Sequence, residues 1–166
     1  LARGHRRVAI VSTASEINYG HLFVEAFRLR MGLHGLTARD ADIERATPTE
    51  AGGYAAAERL FAGPDIPTAV LTVNENMAIG LYRYLNERGI APGRDVALIS
   101  ARETMVCRYL SPTLTAFRLD VRALGERLAE ALLAQIPDHA ADYPDMPDQT
   151  LWSPELREGE SDALWL

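Results

Sequence analysis

Residues 66–100, IPTAVLTVNENMAIGLYRYLNERGIAPGRDVALIS, set two short apolar runs on either side of one amphipathic segment with almost no linking sequence. The first run, 68–73 (TAVLTV), is rich in β-branched residues and does not alternate, the composition of a parallel strand covered on both faces. Asn74 follows at once and offers a side-chain oxygen to the first turn of a helix, while Glu75 sits well at the positive end of the helix dipole. Met77, Leu81, Tyr84 and Leu85 recur at helical spacing, and Gly89 supplies the left-handed residue that ends a helix. After Ala91-Pro92-Gly93-Arg94 comes a second apolar run, 95–99 (DVALI). A strand–helix–strand unit of this length closes as a right-handed parallel crossover. The ligand crevice of an open α/β sheet lies at the carboxyl ends of its strands, here at Asn74 and at residues 100–103.

The same alternation extends outward. Residues 7–12 (RVAIVS) read as a strand, and residues 16–31 as a helix with so few polar positions that most of it should be covered. Residues 36–43 alternate like a strand with one solvated face, and Pro48 opens a helix running through Phe61. Residues 114–119 are a further strand candidate, and Asp120 caps a helix to Ile136 whose Val121, Leu124, Leu128, Ala131, Leu132 and Ile136 form a long apolar stripe. Residues 137–148 read as an exposed loop rich in Pro and Asp, and 149–153 as a last short strand. The fold class is therefore α/β, a doubly wound open parallel sheet with helices on both faces. The stripe on 120–136 is more apolar than a terminal surface helix requires, so some of its cover is expected outside this chain.

Composition narrows the function. The chain has 166 residues, 48% of them hydrophobic, enough for one domain with a substantial core. A formal charge of −6 disfavours a phosphate-tracking surface, so the chain by itself is a poor nucleic-acid binder. The single cysteine, Cys107, excludes an internal disulfide and any multi-cysteine metal site. No run is long enough to span a bilayer, and the basic start lacks a signal peptide's apolar core, so a cytoplasmic protein without membrane contact is expected. No phosphate loop, Ser/His/Asp set or metal-ligand spacing stands out, and Gly52-Gly53 reads as helix-entry punctuation. Neither enzymatic activity nor a cofactor or metal is expected.

Four motifs, in order, carry a resemblance: Leu1-x-x-Gly4-His5-Arg6-Arg7-Val8-Ala9 entering a strand; Pro67-Thr68-Ala69-Val70 through Asn74-Glu75-x-Met77-Ala78-x-Gly80; Gly93-x-Asp95-Val96-Ala97-Leu98-Ile99; and Ser111-Pro112-x-Leu114-Thr115 with Gly125 eleven residues after Leu114. Together they resemble the C-terminal half of the effector-binding domain of LacI/GalR-type bacterial transcription regulators. The resemblance implies one lobe of a bilobed, periplasmic-binding-protein-like domain spanning residues 1–166. In it, helix 120–136 packs toward a missing N-terminal subdomain and the DNA-binding headpiece lies outside the chain. It also implies a small-molecule effector in the interlobe cleft, homodimerisation with Tyr109 and Leu110 near the partner, and operator DNA as the target of the absent headpiece. Effector binding would shift the closure of the lobes through differential affinity.

Three positions depart from the family's pattern. Its Arg on the first long helix is Phe23 here, its acidic or amide residue after the strand 95–99 is Arg102, and its Gln near the return strand is Leu119; Asn74 is kept. A five-donor cation in place of an acceptor suits a carboxylate or phosphate better than a neutral polyol. The expected effector is therefore sugar-like by family and anionic and partly apolar here. Arg102 is its charge partner, Asn74 a hydrogen-bonding group, and Phe23 and Tyr19 the wall, with His21 a further candidate. Against these stand plainer readings: Asn74 as a helix cap, Phe23 as core, Arg102 as a surface cation paired with Glu103 or another acid, and His21 as a solvated helix residue. The competing functions are a solute-binding protein of an uptake system, which would carry an export signal, and an α/β enzyme, which would need a nucleophile or phosphate loop.

Overall fold

The computed structural model describes residues 4–14, 16–143 and 152–163. The chain divides into two compact units, Leu1–Phe117 with Leu156–Leu166, and Arg118–Glu155. The elements run β1 (Val8–Ser12), α1 (Asn18–Leu33), β2 (Ile43–Arg45), α2 (Glu50–Leu60), β3 (Ala69–Thr72), α3 (Glu75–Glu87), β4 (Ala97–Ser100), β5 (Thr115–Arg118), α4 (Val121–Leu133) and β6 (Glu155–Arg157). The sheet order is β2-β1-β3-β4-β5-β6, and the β1–β2, β1–β3, β3–β4 and β4–β5 pairs are all parallel.

Side chains alternate across the sheet. Ala9, Val11, Val70, Leu98 and Ala116 point to one face, where α2 and α3 cover them with Ala56, Leu60, Met77, Leu81 and Leu85. Ile10 points to the other face, where Val24, Phe27 and Met31 of α1 pack on it beside Val8 and Leu71. Each helix has its own start and stop. Thr49 and Asn74 cap α2 and α3 by accepting from the N–H groups of Gly52 and Met77. Beyond α3, Gly89 at φ +69° lets Ile90 N–H reach the Leu85 carbonyl, and Gly35 at φ +68° does the same for Leu36 and Met31 after α1. The α2–α3 crossing depends on two glycines: a Cβ on Gly80 would lie 2.0 Å from the Glu50 carbonyl oxygen, and one on Gly53 2.1 Å from that of Met77.

Three expectations change. Residues 36–43 do not form a strand. Asp42 is buried in a 3₁₀ turn, Asp40–Asp42, where it accepts from Arg7 and Arg39, and only Ile43–Arg45 reach the sheet. The alternation there records ion pairing, not a pleat. The α1 helix is less covered than its composition suggests, because a helix on a sheet buries one side only; Leu22, Leu29 and Leu33 are each more than half exposed. The final strand falls at Glu155–Arg157, after Trp152 and Ser153; positions 149–151 lie outside the described residues. In the unit Arg118–Glu155, Asp120 caps α4 through the N–H groups of Arg122 and Ala123, and no residue of the helix is buried.

Candidate effector site at the strand ends

β1 ends at Ser12 and Thr13, β3 at Thr72 and Asn74, and β4 at Ser100, which parallel pairing brings to one edge of the sheet. The first turn of α1 is fastened there. Ser12 Oγ donates to the Gly20 carbonyl at 2.9 Å, and a Cβ on Gly20 would lie 2.0 Å from Thr13 Oγ1, so only glycine lets the helix come this close. Ala101 N–H donates to the Thr72 carbonyl at 2.8 Å and ties the loop after β4 to β3. Ser100 Oγ then donates to the Arg102 carbonyl at 2.8 Å, which closes a tight turn and aims the Arg102 side chain.

Arg102 meets Glu75 in a two-pronged pair, Nε to Oε2 at 2.7 Å and Nη2 to Oε1 at 2.9 Å. The pair is lopsided in exposure: the Glu75 side chain is 4% exposed and that of Arg102 57%. Burial pushes the Glu75 carboxyl up, but the Arg102 bonds and charge, a backbone N–H and the Thr104 hydroxyl outweigh it, and the group is held below the ordinary carboxylate range. The hydrogen bonds that Arg102 donates to Glu75, and then the charge of that carboxylate, raise the affinity of the guanidinium for its proton, with a smaller contribution from Tyr19. Two of five guanidinium N–H groups are used on Glu75, which leaves donors on the exposed side.

The other candidates divide. Asn74 is buried and its Oδ1 accepts from Met77 N–H at 3.0 Å, so its amide N–H groups remain the part available to a ligand. Tyr19 is 44% exposed, and Phe23 is half-buried against both core clusters. His21 is exposed and pairs with Glu25 at 3.2 Å along the helix, on the side of α1 turned away from Phe23. Glu103 takes Arg108, not Arg102, at 3.3 Å. Tyr109 is exposed, and Leu110 rests on the main core. Cys107 is buried and its thiol is pushed up by that burial.

Sequence reasoning placed Glu75 only at a helix start. What it missed is the bond to Arg102, a relation across 27 positions for which the motif carried no signal. Among the described residues, no three His, Cys, Asp or Glu side chains are arranged to hold a metal ion, and no helix is long and apolar enough to cross a membrane.

A parallel sheet with helices on both faces and a polar edge at its carboxyl strand ends has the architecture in which open α/β domains place a ligand. The family model for periplasmic binding protein-like domains matches residues 1–161. The chain is 31% identical over 162 residues to the HTH-type transcriptional regulator AglR of Rhizobium meliloti (strain 1021), a match covering 92% of this chain and 43% of that protein. It is 30% identical over 103 residues to the lactose operon repressor of Rhizobium radiobacter, covering 60% of this chain and 89% of that sequence. In three dimensions it is similar to a regulatory protein of the LacI family from Chloroflexus aggregans, with a TM-score of 0.84 and 28% identity over 98% of this chain and 57% of that one. The chain thus belongs to the periplasmic-binding-protein-like domain family, as the effector-domain part of a LacI/GalR-type regulator. It spans less than half the length of AglR.

Proposed function

We propose that this chain is the sensing and dimerisation part of a cytoplasmic LacI-type transcription regulator, which holds a small-molecule effector over the ends of β1, β3 and β4. The observation that carries the reading is the Asn74–Glu75–Arg102 cluster, where an exposed guanidinium is held by a buried carboxylate at the strand ends. Asn74 supplies amide donors, Arg102 its unused N–H groups, and Tyr19 and Phe23 an apolar wall, with His21 at the rim. The effector is sugar-like in size and bears a carboxylate or phosphate for Arg102. Glu75 neutralises part of the guanidinium charge, so the preference for an anion is smaller than for an unpaired Arg. The α4 stripe of Val121, Leu128 and Leu132 packs against the N-terminal subdomain. Tyr109 and Leu110 face a second copy, and a headpiece elsewhere in the protein binds operator DNA. The names of the relatives, transcription regulators and operon repressors, support this over catalysis or solute uptake.

Calorimetric titration of the full-length protein with sugar acids and sugar phosphates, beside their neutral parents, tests the reading. An anionic ligand is expected to bind the native protein and to lose ~10- to 100-fold in affinity in Arg102→Met, the worth of one or two charge-assisted bonds. Unchanged affinity in Arg102→Asp, or tight binding of a neutral sugar alone, overturns the assignment of Arg102.

A further inference from the structure

The arginines at the carboxyl strand ends differ in what neutralises them. Arg102 is offset by Glu75, and Arg108 in the loop after β4 by Glu103. Arg45, the last residue of β2 and the neighbour of Ser12 in the β1–β2 register, is exposed and forms no ion pair among the described residues. Its Nη1 donates instead to the Thr13 carbonyl at 3.1 Å. That acceptor is neutral, so the bond draws the guanidinium from the sheet edge inward over the end of β1 without cancelling its charge, and four of its five N–H groups are left for another partner. The surroundings add to the positive field. Helix α1 starts against Thr13, because Ser12 Oγ holds the Gly20 carbonyl and Thr13 Oγ1 lies where a Cβ on Gly20 would be. The positive end of the α1 dipole therefore stands at the same edge, with no acidic residue in its first turn and no side-chain cap. Thr13 Oγ1 is itself fully buried and has no hydrogen-bond partner among the described residues. The loop after β4 is closed on itself by Ser100 and Arg102, whereas the start of α1 is left with polar groups that the protein does not fill.

We propose that Arg45 receives a second acidic group of the effector, so that the ligand is an open-chain sugar acid with an acid at each end, one on Arg102 and one on Arg45. The inference rests on the reading of the strand ends as the effector site. The sheet sets the length of the ligand. In the order β1-β3-β4, two strand spacings, roughly 10 Å, separate the end of β1, over which Arg45 leans, from the end of β4, which leads into Arg102. One acidic group cannot touch both cations, and a closed ring with a single acid leaves Arg45 to solvent. A chain with its acids at opposite ends reaches both. Asn74, which follows β3, lies between them with its amide N–H groups turned to the hydroxyls in the middle. Of the two arginines, Arg45 has the larger part in selecting charge: Glu75 already offsets Arg102, and a carbonyl offsets nothing.

The test is calorimetric titration of the full-length protein with glucarate, galactarate and gluconate phosphorylated at its far end, each beside the aldonate that lacks the second acid. At least one of the diacids is expected to bind ~10-fold or more tightly than its monoacid, the worth of one charge-assisted bond. Arg45→Gln, a change at an exposed position, should erase that ratio while the affinity for the monoacid stays within about twofold, and Arg45→Lys should retain part of it. If Arg45 served only to hold Thr13, its loss would weaken both ligands alike; equal losses therefore overturn the proposal, as does a ratio near one in the native protein or a high ratio that survives Arg45→Gln. Aldonate binding that depends on Arg102 without any gain from a second acid refutes this inference and leaves the functional reading standing, whereas failure of every acid to bind removes both.

Discussion

Replacing Arg102 by Met removes the partner of a nearly buried carboxylate and leaves the space largely filled. A fully buried pair broken this way costs ~3–5 kcal/mol, and an exposed pair contributes ~0–1 kcal/mol. With Glu75 4% and Arg102 57% exposed, the pair lies between these limits, and a loss of about 2 kcal/mol at pH 7 is expected. At a urea dependence of ~1.5 kcal/mol per molar, the unfolding midpoint falls by about 1.3 M. The pH dependence makes the test specific. In the native protein the folded-state carboxyl lies below its ordinary value of 4.5, so its contribution is complete above that pH and is lost as pH falls through the folded value. Without Arg102 the burial effect dominates and the folded value moves above the ordinary one. The variant then takes up its proton earlier and is relieved as pH falls. The deficit is expected to be largest at pH 7 and to shrink to below ~1 kcal/mol near pH 4. A double-mutant cycle with Glu75→Gln should return a coupling of ~1–2 kcal/mol. A midpoint shift under ~0.3 M at pH 7, or one identical at pH 7 and pH 4, would refute the reasoning.

Gly80→Ala drives a Cβ to within 2.0 Å of the Glu50 carbonyl oxygen and should cost more than ~3 kcal/mol in thermal unfolding, since the nearest atoms, on Glu50, Tyr54 and Gly53, are all backbone. Gly125→Ala, with nothing within 4 Å, should instead gain up to ~1 kcal/mol from helix propensity; similar losses for the two would discredit the α2–α3 crossing. The Arg94 guanidinium and the Ala91 N–H hold the Asp95 carboxyl down at about 2, so its contribution is full above the ordinary 3.8 and fades as pH falls toward 2. Asp95→Asn should accordingly flatten the acid limb of a circular-dichroism titration between pH 4 and 2, and an unchanged limb would contradict the pairing. Burial of Cys107 predicts negligible reaction with a thiol reagent in the native state and full reaction in urea; rapid native labelling would count against its place in the core.

Much of the architecture was legible because it rests on local chemistry. The cap at Asn74, the stripe Met77-Leu81-Tyr84-Leu85 and the left-handed Gly89 describe α3 within two residues of its ends, since each signal acts over a single turn. The misreading of residues 36–43 has the opposite cause. Asp42 is held by Arg7 from 35 positions away, and a local pattern of apolar and polar residues carries no trace of such a bond. The strand-end edge shows the same division. Asn74 and Arg102 could be placed at strand ends from the crossover rule, but that Arg102 is engaged by Glu75, or that His21 turns to Glu25, depends on side-chain directions that strand-end position does not specify.

The sequence by itself determined the periodicities, caps and strand–helix alternation, and with them a parallel sheet whose strand β3 leads to Asn74 and whose β4 ends at Ser100. These follow from interactions spanning four residues or fewer, and from a handedness rule that applies to every right-twisted strand. The tertiary structure alone decided which charges meet and which apolar surfaces stay uncovered. Ion pairs such as Arg102–Glu75 form between elements whose separation is set by packing. Exposure on the α1 face arises because one crossover runs opposite to all the others, a property of strand order that no single segment contains.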